Sequence, residues 1–72
     1  MSHYHINIFW SEEDGAFVAD APDLESCSAL GSTPEGALRE LKRAMRAWMA
    51  AAKRAKRPVP PARYRPAIYQ AG

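Results

Sequence analysis

Residues 32–57 constrain the fold more than any other segment. Ser32-Thr33-Pro34-Glu35 opens it with a hydroxyl N-cap, a proline in the first turn where its missing N–H is harmless, and an acid placed to bond back to a Ser32 cap. Ala37, Leu38, Leu41, Ala44, Met45, Trp48, Met49 and Ala52 then recur at steps of three and four, while Arg39, Glu40, Lys42, Arg43, Arg46 and Lys53 hold the other face. This pattern predicts one amphipathic helix from Pro34 to about Arg57. Lys53-Arg54-Ala55-Lys56-Arg57 lies where the helix dipole favours cations, and Pro58-Val59-Pro60-Pro61 stops the helix in an extended exit. At ~1.5 Å per residue the helix would span ~36 Å, longer than strands of ~20 Å, so its basic end is expected to overhang them. Trp48 falls on the apolar stripe and reads as core.

The segments before the helix carry a different period. Tyr4, Ile6, Ile8 and Trp10 alternate with His5, Asn7 and Phe9, as in a strand with one strongly apolar face. Ser11-Glu12-Glu13-Asp14-Gly15 is a polar turn, and Ala16–Ala21, with Phe17 and Val18, follows as the second arm of a hairpin. Pro22-Asp23 ends that arm, and Ser28-Ala29-Leu30 supplies a short third strand before Gly31. Arg63–Tyr69 alternates weakly, with Tyr64 and Ile68 favouring a strand, but Pro66 limits residues 62–72 to an edge strand or an extended tail. One amphipathic helix needs one apolar surface to cover, so the expected fold is α+β: a mainly antiparallel sheet of three or four strands with the helix on one face.

With 72 residues the chain forms a single domain, 1–72, and a core this small favours self-association. Phe9 and Trp10 point to opposite sides of the first strand, and one helix can cover only one side. The uncovered aromatic is therefore expected at a subunit interface of a homodimer or larger homo-oligomer; Phe9, Trp10 and Tyr69 are the self-association candidates. The single Cys27 excludes an intramolecular disulfide and the usual cysteine-rich zinc site. The N-terminus has no basic, long apolar leader and the sequence no run of ~18 apolar residues, so a cytoplasmic protein with no membrane span is expected.

Charge is distributed unevenly. Residues 1–35 hold seven acids and no Lys or Arg, whereas 36–72 hold ten basic residues and only Glu40, so a half at −7 and a half at +9 underlie the net +2. The acids Glu13, Asp14, Asp20, Asp23 and Glu25 raise the question of a two-metal nuclease, but most fall in turns, where acids are ordinarily solvated or bond local backbone. His3 and His5 share a strand face without an identifiable third ligand, so no metal is expected there. Cys27 lacks a basic neighbour to activate it and reads as a small packed hydrophobe. Arg39, Lys42, Arg43 and Arg46 could follow a phosphate backbone, although no aromatic is interleaved to stack bases and the plain expectation is a solvated helix face. No catalytic constellation and no cofactor site emerges from these residues.

Taken in order, Glu13-Asp14-Gly15, Pro22-Asp23-Leu24 with Cys27 closing its loop, Gly31-Ser32-Thr33-Pro34-Glu35 with Ala37-Leu38, and Arg57-Pro58-Val59-Pro60 resemble the HicB-like antitoxin family over roughly residues 4–61. The resemblance implies a β-β-β-α-β domain like a truncated ribonuclease H fold. It implies a non-enzymatic antitoxin that dimerises and neutralises a small HicA-like, mRNA-degrading toxin by protein contact. Family members commonly add a C-terminal helix-turn-helix or ribbon-helix-helix domain, which these residues do not contain. The sequence also departs at Ser26, where glycine is usual, and at Gly36, where glutamate or another helix former is usual. A ribonuclease's RNA-binding surface is basic, so the acidic loop Asp20, Pro22, Asp23, Leu24 and Glu25 is the expected toxin contact. The alternatives are a small nucleic-acid-binding protein using the basic helix, residues 39–57, and an orphan domain without a toxin.

Overall fold

A computed structural model describes residues 3–69. Three antiparallel strands in the order β1-β2-β3 form one sheet, with β1 at Asn7–Ser11, β2 at Ala16–Asp20 and β3 at Ser28–Gly31. The helix α1, Pro34–Arg54, packs mainly on β3, less on β2 and least on β1. The fold is α+β with β-β-β-α order. Among the described residues no fourth strand forms: 58–66 have no regular secondary structure and no ladder pairing, and Ala67–Tyr69 make a single 3-10 turn. Prolines 58, 60, 61 and 66 cannot donate to a ladder, which leaves few N–H groups with which a strand could dock.

Register assigns the two faces of the sheet. Ile8, Ala19 and Ala29 stand in one row, and Trp10, Phe17 and Gly31 in the next, both under the helix. Asn7, Asp20 and Ser28 form a row on the opposite, open face, followed by Phe9, Val18 and Leu30. Ala19, Ala21, Leu24, Cys27, Ala37 and Leu41 make the buried core, with Tyr4, Ile6, Phe17, Met45, Trp48 and Met49 packed around it. Among the described residues, Leu24 and Leu41 are the large side chains with full burial.

The first strand is shorter and later than its alternation suggests. Residues 4–6 lie outside the ladder, although the Tyr4 and Ile6 side chains still reach the core. The expectation that one of Phe9 and Trp10 is covered also fails, since they are 50% and 48% exposed. Because α1 lies mainly over β3 and β2, β1 extends beyond most of its cover, and Trp10 packs edge-on against its cross-strand neighbour Phe17, with centroids 5.1 Å apart.

Both helix ends differ from the reading by a few residues. Thr33, not Ser32, is the N-cap, and its hydroxyl accepts from the Gly36 N–H at 2.9 Å. Pro34 then occupies the first helical position, and Gly36, not Glu35, falls where a reciprocal capping acid would stand. At the other end Arg57 N–H bonds Ala52 O at 2.9 Å and Lys56 N–H bonds Lys53 O at 3.1 Å, closing the helix with a Schellman turn before the prolines. That turn holds Lys56 at φ 55, and the loop after Pro22 holds Ser26 at φ 58, both left-handed conformations that favour glycine. Lys56→Gly and Ser26→Gly are each expected to raise stability by about 0.5–1 kcal/mol, read as a higher midpoint in urea unfolding.

Candidate functional site

The segment after β2 folds back on itself. Leu24 N–H bonds Ala21 O, Cys27 N–H bonds Leu24 O and Ala21 N–H bonds Cys27 O, a closed loop that leads into β3. Its residues separate by role. Leu24, 2% exposed, plugs the core beneath the loop, so it is unavailable to a partner and its place in the expected toxin contact is corrected. Asp23 holds the C-terminal tail: its carboxylate accepts from the Arg63 N–H at 3.0 Å and the Tyr64 N–H at 3.1 Å. Trp48 Nε1 donates to Glu25 O at 3.1 Å and ties the loop to the helix. Pro22 and the Glu25 side chain remain exposed, and Asp20 is half-buried in the open-face row with Asn7 and Ser28.

Tyr4 donates its hydroxyl to Pro60 O, and the His5 ring meets Tyr64 at 4.5 Å, so the tail returns beside the start of the chain. Replacing Asp23 with alanine is expected to free this tail. Hydrogen exchange at Arg63 and Tyr64 would accelerate toward the open-chain rate while β2 amides keep their protection. Tyr69 lies in the tail's last turn, 65% exposed, with the Arg65 guanidinium 6.0 Å from its ring centre.

Two surfaces stand out. The first comprises β1 and the open face of the sheet, where Ile8, Phe9, Trp10 and Leu30 are each 40–51% exposed. Phe9, Val18 and Leu30 cross all three strands there as one apolar row, beside the row that contains Asp20. The second is the outward helix face with Arg39, Lys42, Arg43 and Arg46, all exposed. Glu40 approaches Arg43 at 3.5 Å, and Glu35, Leu38, Arg39, Lys42 and Arg46 line a hollow of about 280 Å³ with no aromatic in its wall. A larger cleft of about 790 Å³ lies among the loop, the last helical turns and the proline-rich exit, with Glu25, Ser26, Trp48, Ala52, Arg57 and Pro60 in its lining.

Cys27 sits in the core at 6% exposure, and burial pushes its thiol up from the ordinary range, away from thiolate chemistry. Among the described residues no three His, Cys, Asp or Glu side chains gather as metal ligands, and no helix is long and apolar enough to cross a membrane. The apolar open-face row is not visible along the sequence. Alternation put Phe9 on the side away from Trp10, but Val18 and Leu30 join it only through the strand register.

No protein-family model matches the chain, and neither a curated protein nor a solved structure matches it.

Proposed function

We propose that the chain is a protein-binding module of the HicB-like antitoxin type, which neutralises a small, basic, mRNA-degrading toxin by covering its active site or RNA-binding surface. The observation that carries this proposal is the uncovered apolar row Phe9-Val18-Leu30 with Asp20 in the adjoining row. An apolar strip beside an acid suits a partner surface of aliphatic and basic side chains. Exposed Pro22 and Glu25 lie in the loop that follows β2, and complete the acidic side of the contact. The left-handed Ser26 adds support, since it occupies the position where the family resemblance calls for glycine.

Co-expression with the products of adjacent genes, followed by affinity purification and growth tests, examines this function. The expected result is recovery of a small basic protein that arrests growth alone and is harmless beside this chain. If no neighbouring product is toxic or co-purifies, the antitoxin role is lost. A second role in nucleic-acid binding draws on the four exposed cations of the outward helix face. It requires affinity for RNA or DNA that falls steeply with salt and weakens in Arg39→Ala and Lys42→Ala variants.

A further inference from the structure

We infer that β1 pairs with β1 of a second copy, antiparallel and centred on Phe9, to give a six-stranded sheet with both helices on one side. The strand is an unprotected edge: Asn7–Ser11 contains no charge and no proline, and three consecutive large apolar side chains, Ile8, Phe9 and Trp10, are half-exposed on it. Its polarity reads alike from both ends, polar-apolar-aromatic-apolar-polar. Centring on Phe9 therefore places Asn7 opposite Ser11, Ile8 opposite Trp10 and Phe9 opposite Phe9, with each residue meeting its own kind.

The two-fold axis also repairs what the monomer leaves open. On the helix side, Ile8 and Trp10 of both copies would fill the gap beyond α1, which barely reaches β1. On the other side the two apolar rows would join into one, Leu30-Val18-Phe9 continuing into its mirror across the axis. Charge selects this direction of pairing. An antiparallel pair carries the acidic turn of Glu12, Glu13 and Asp14 to the end where His3 and His5 of the second copy stand, whereas a parallel pair would set two acidic turns side by side.

The extent of the contact sets its strength. With large side chains burying ~150–250 Å² each, half-exposed Ile8, Phe9 and Trp10 contribute on the order of 300 Å² per copy. Backbone pairing adds to this, but the total stays below the ~800 Å² per partner of a tight complex, so the dimer is reversible and concentration-dependent. The pairing leaves the open face available and does not rest on the antitoxin function.

Sedimentation of the full chain over a range of concentrations, with hydrogen exchange read in parallel, tests it. The mass is expected to rise from 8.0 kDa to twice that value, with concentration-dependent protection confined to residues 6–12. Phe9→Lys would set two like charges face to face and weaken association at least about tenfold, with the circular dichroism spectrum unchanged. Leu30→Lys, two strands away, would leave the dimer intact. A chain that stays monomeric at high concentration overturns the pairing, as does a dimer whose β1 amides exchange no slower than in the monomer. Loss of the dimer on Leu30→Lys as well as on Phe9→Lys would mean face-to-face stacking of the open faces, where both residues share one row, and overturn it equally. The wild-type exchange pattern decides even if a variant fails to fold, and toxin capture in the co-expression assay is read separately.

Discussion

Replacing Gly31 by alanine is expected to destabilise the fold by about 3 kcal/mol or more, at the upper end of the overpacking range. The added methyl would stand 2.3 Å from Ala37 N, 2.7 Å from Gly36 C and 2.8 Å from Ala37 Cα. All three are backbone atoms of the first helical turn and no side chain can rotate away. Accommodation requires the helix to lift off β3, which opens the packing of Ala37 and Leu41, both 0% exposed. Gly15→Ala provides the control, because Gly15 has φ +59 but nothing within 4 Å of an added methyl. It should lose only about 1 kcal/mol, from the left-handed backbone alone. Urea unfolding of the two variants separates a steric requirement from a conformational one, and equal losses would refute the close helix-to-strand contact.

The second large effect is expected at Leu24→Ala, a loss of about 3 kcal/mol from transfer and cavity terms together. A domain of this size holds only ~5–10 kcal/mol in total, so the variant should melt far below the parent protein. Leu24 is a large side chain with full burial, and it anchors the loop whose Asp23 holds the tail and whose Glu25 carbonyl holds Trp48. Hydrogen exchange should therefore rise in the loop and at Arg63 and Tyr64 together. By contrast, Glu25→Ala should change stability by less than about 0.5 kcal/mol, since its side chain is exposed and Trp48 bonds its backbone carbonyl, which alanine keeps. If both substitutions left stability untouched and impaired only partner binding, the loop would be a docking surface throughout, contrary to the division of roles seen here.

That division shows how a short motif can mislead. Pro22-Asp23-Leu24 reads as an acidic loop open to a partner, since charge and the turn-forming proline are what adjacent residues reveal. The structure aims Leu24 inward and satisfies both carboxylate oxygens of Asp23 with N–H groups 40 and 41 residues away. Local composition holds no trace of a partner so distant. Ser32 and Thr33 likewise offer two equivalent hydroxyls, and the choice of Thr33 follows from its extended backbone, φ −133 and ψ 159, at the junction with β3.

The hairpin, the third strand, the helix and its apolar stripe were legible along the chain, because each depends on short-range periodicity, on glycine and proline, and on hydroxyl caps. The two-layer α+β arrangement followed from one helix needing one surface. Three matters lay beyond that reach: how far the helix covers the sheet, which open-face residues share a row, and where the tail lies. Each depends on distances between elements set by the bulk of side chains at the contact. Gly31, by letting the helix sit against β3, draws α1 to that side of the sheet and leaves Ile8, Phe9 and Trp10 of β1 half in solvent.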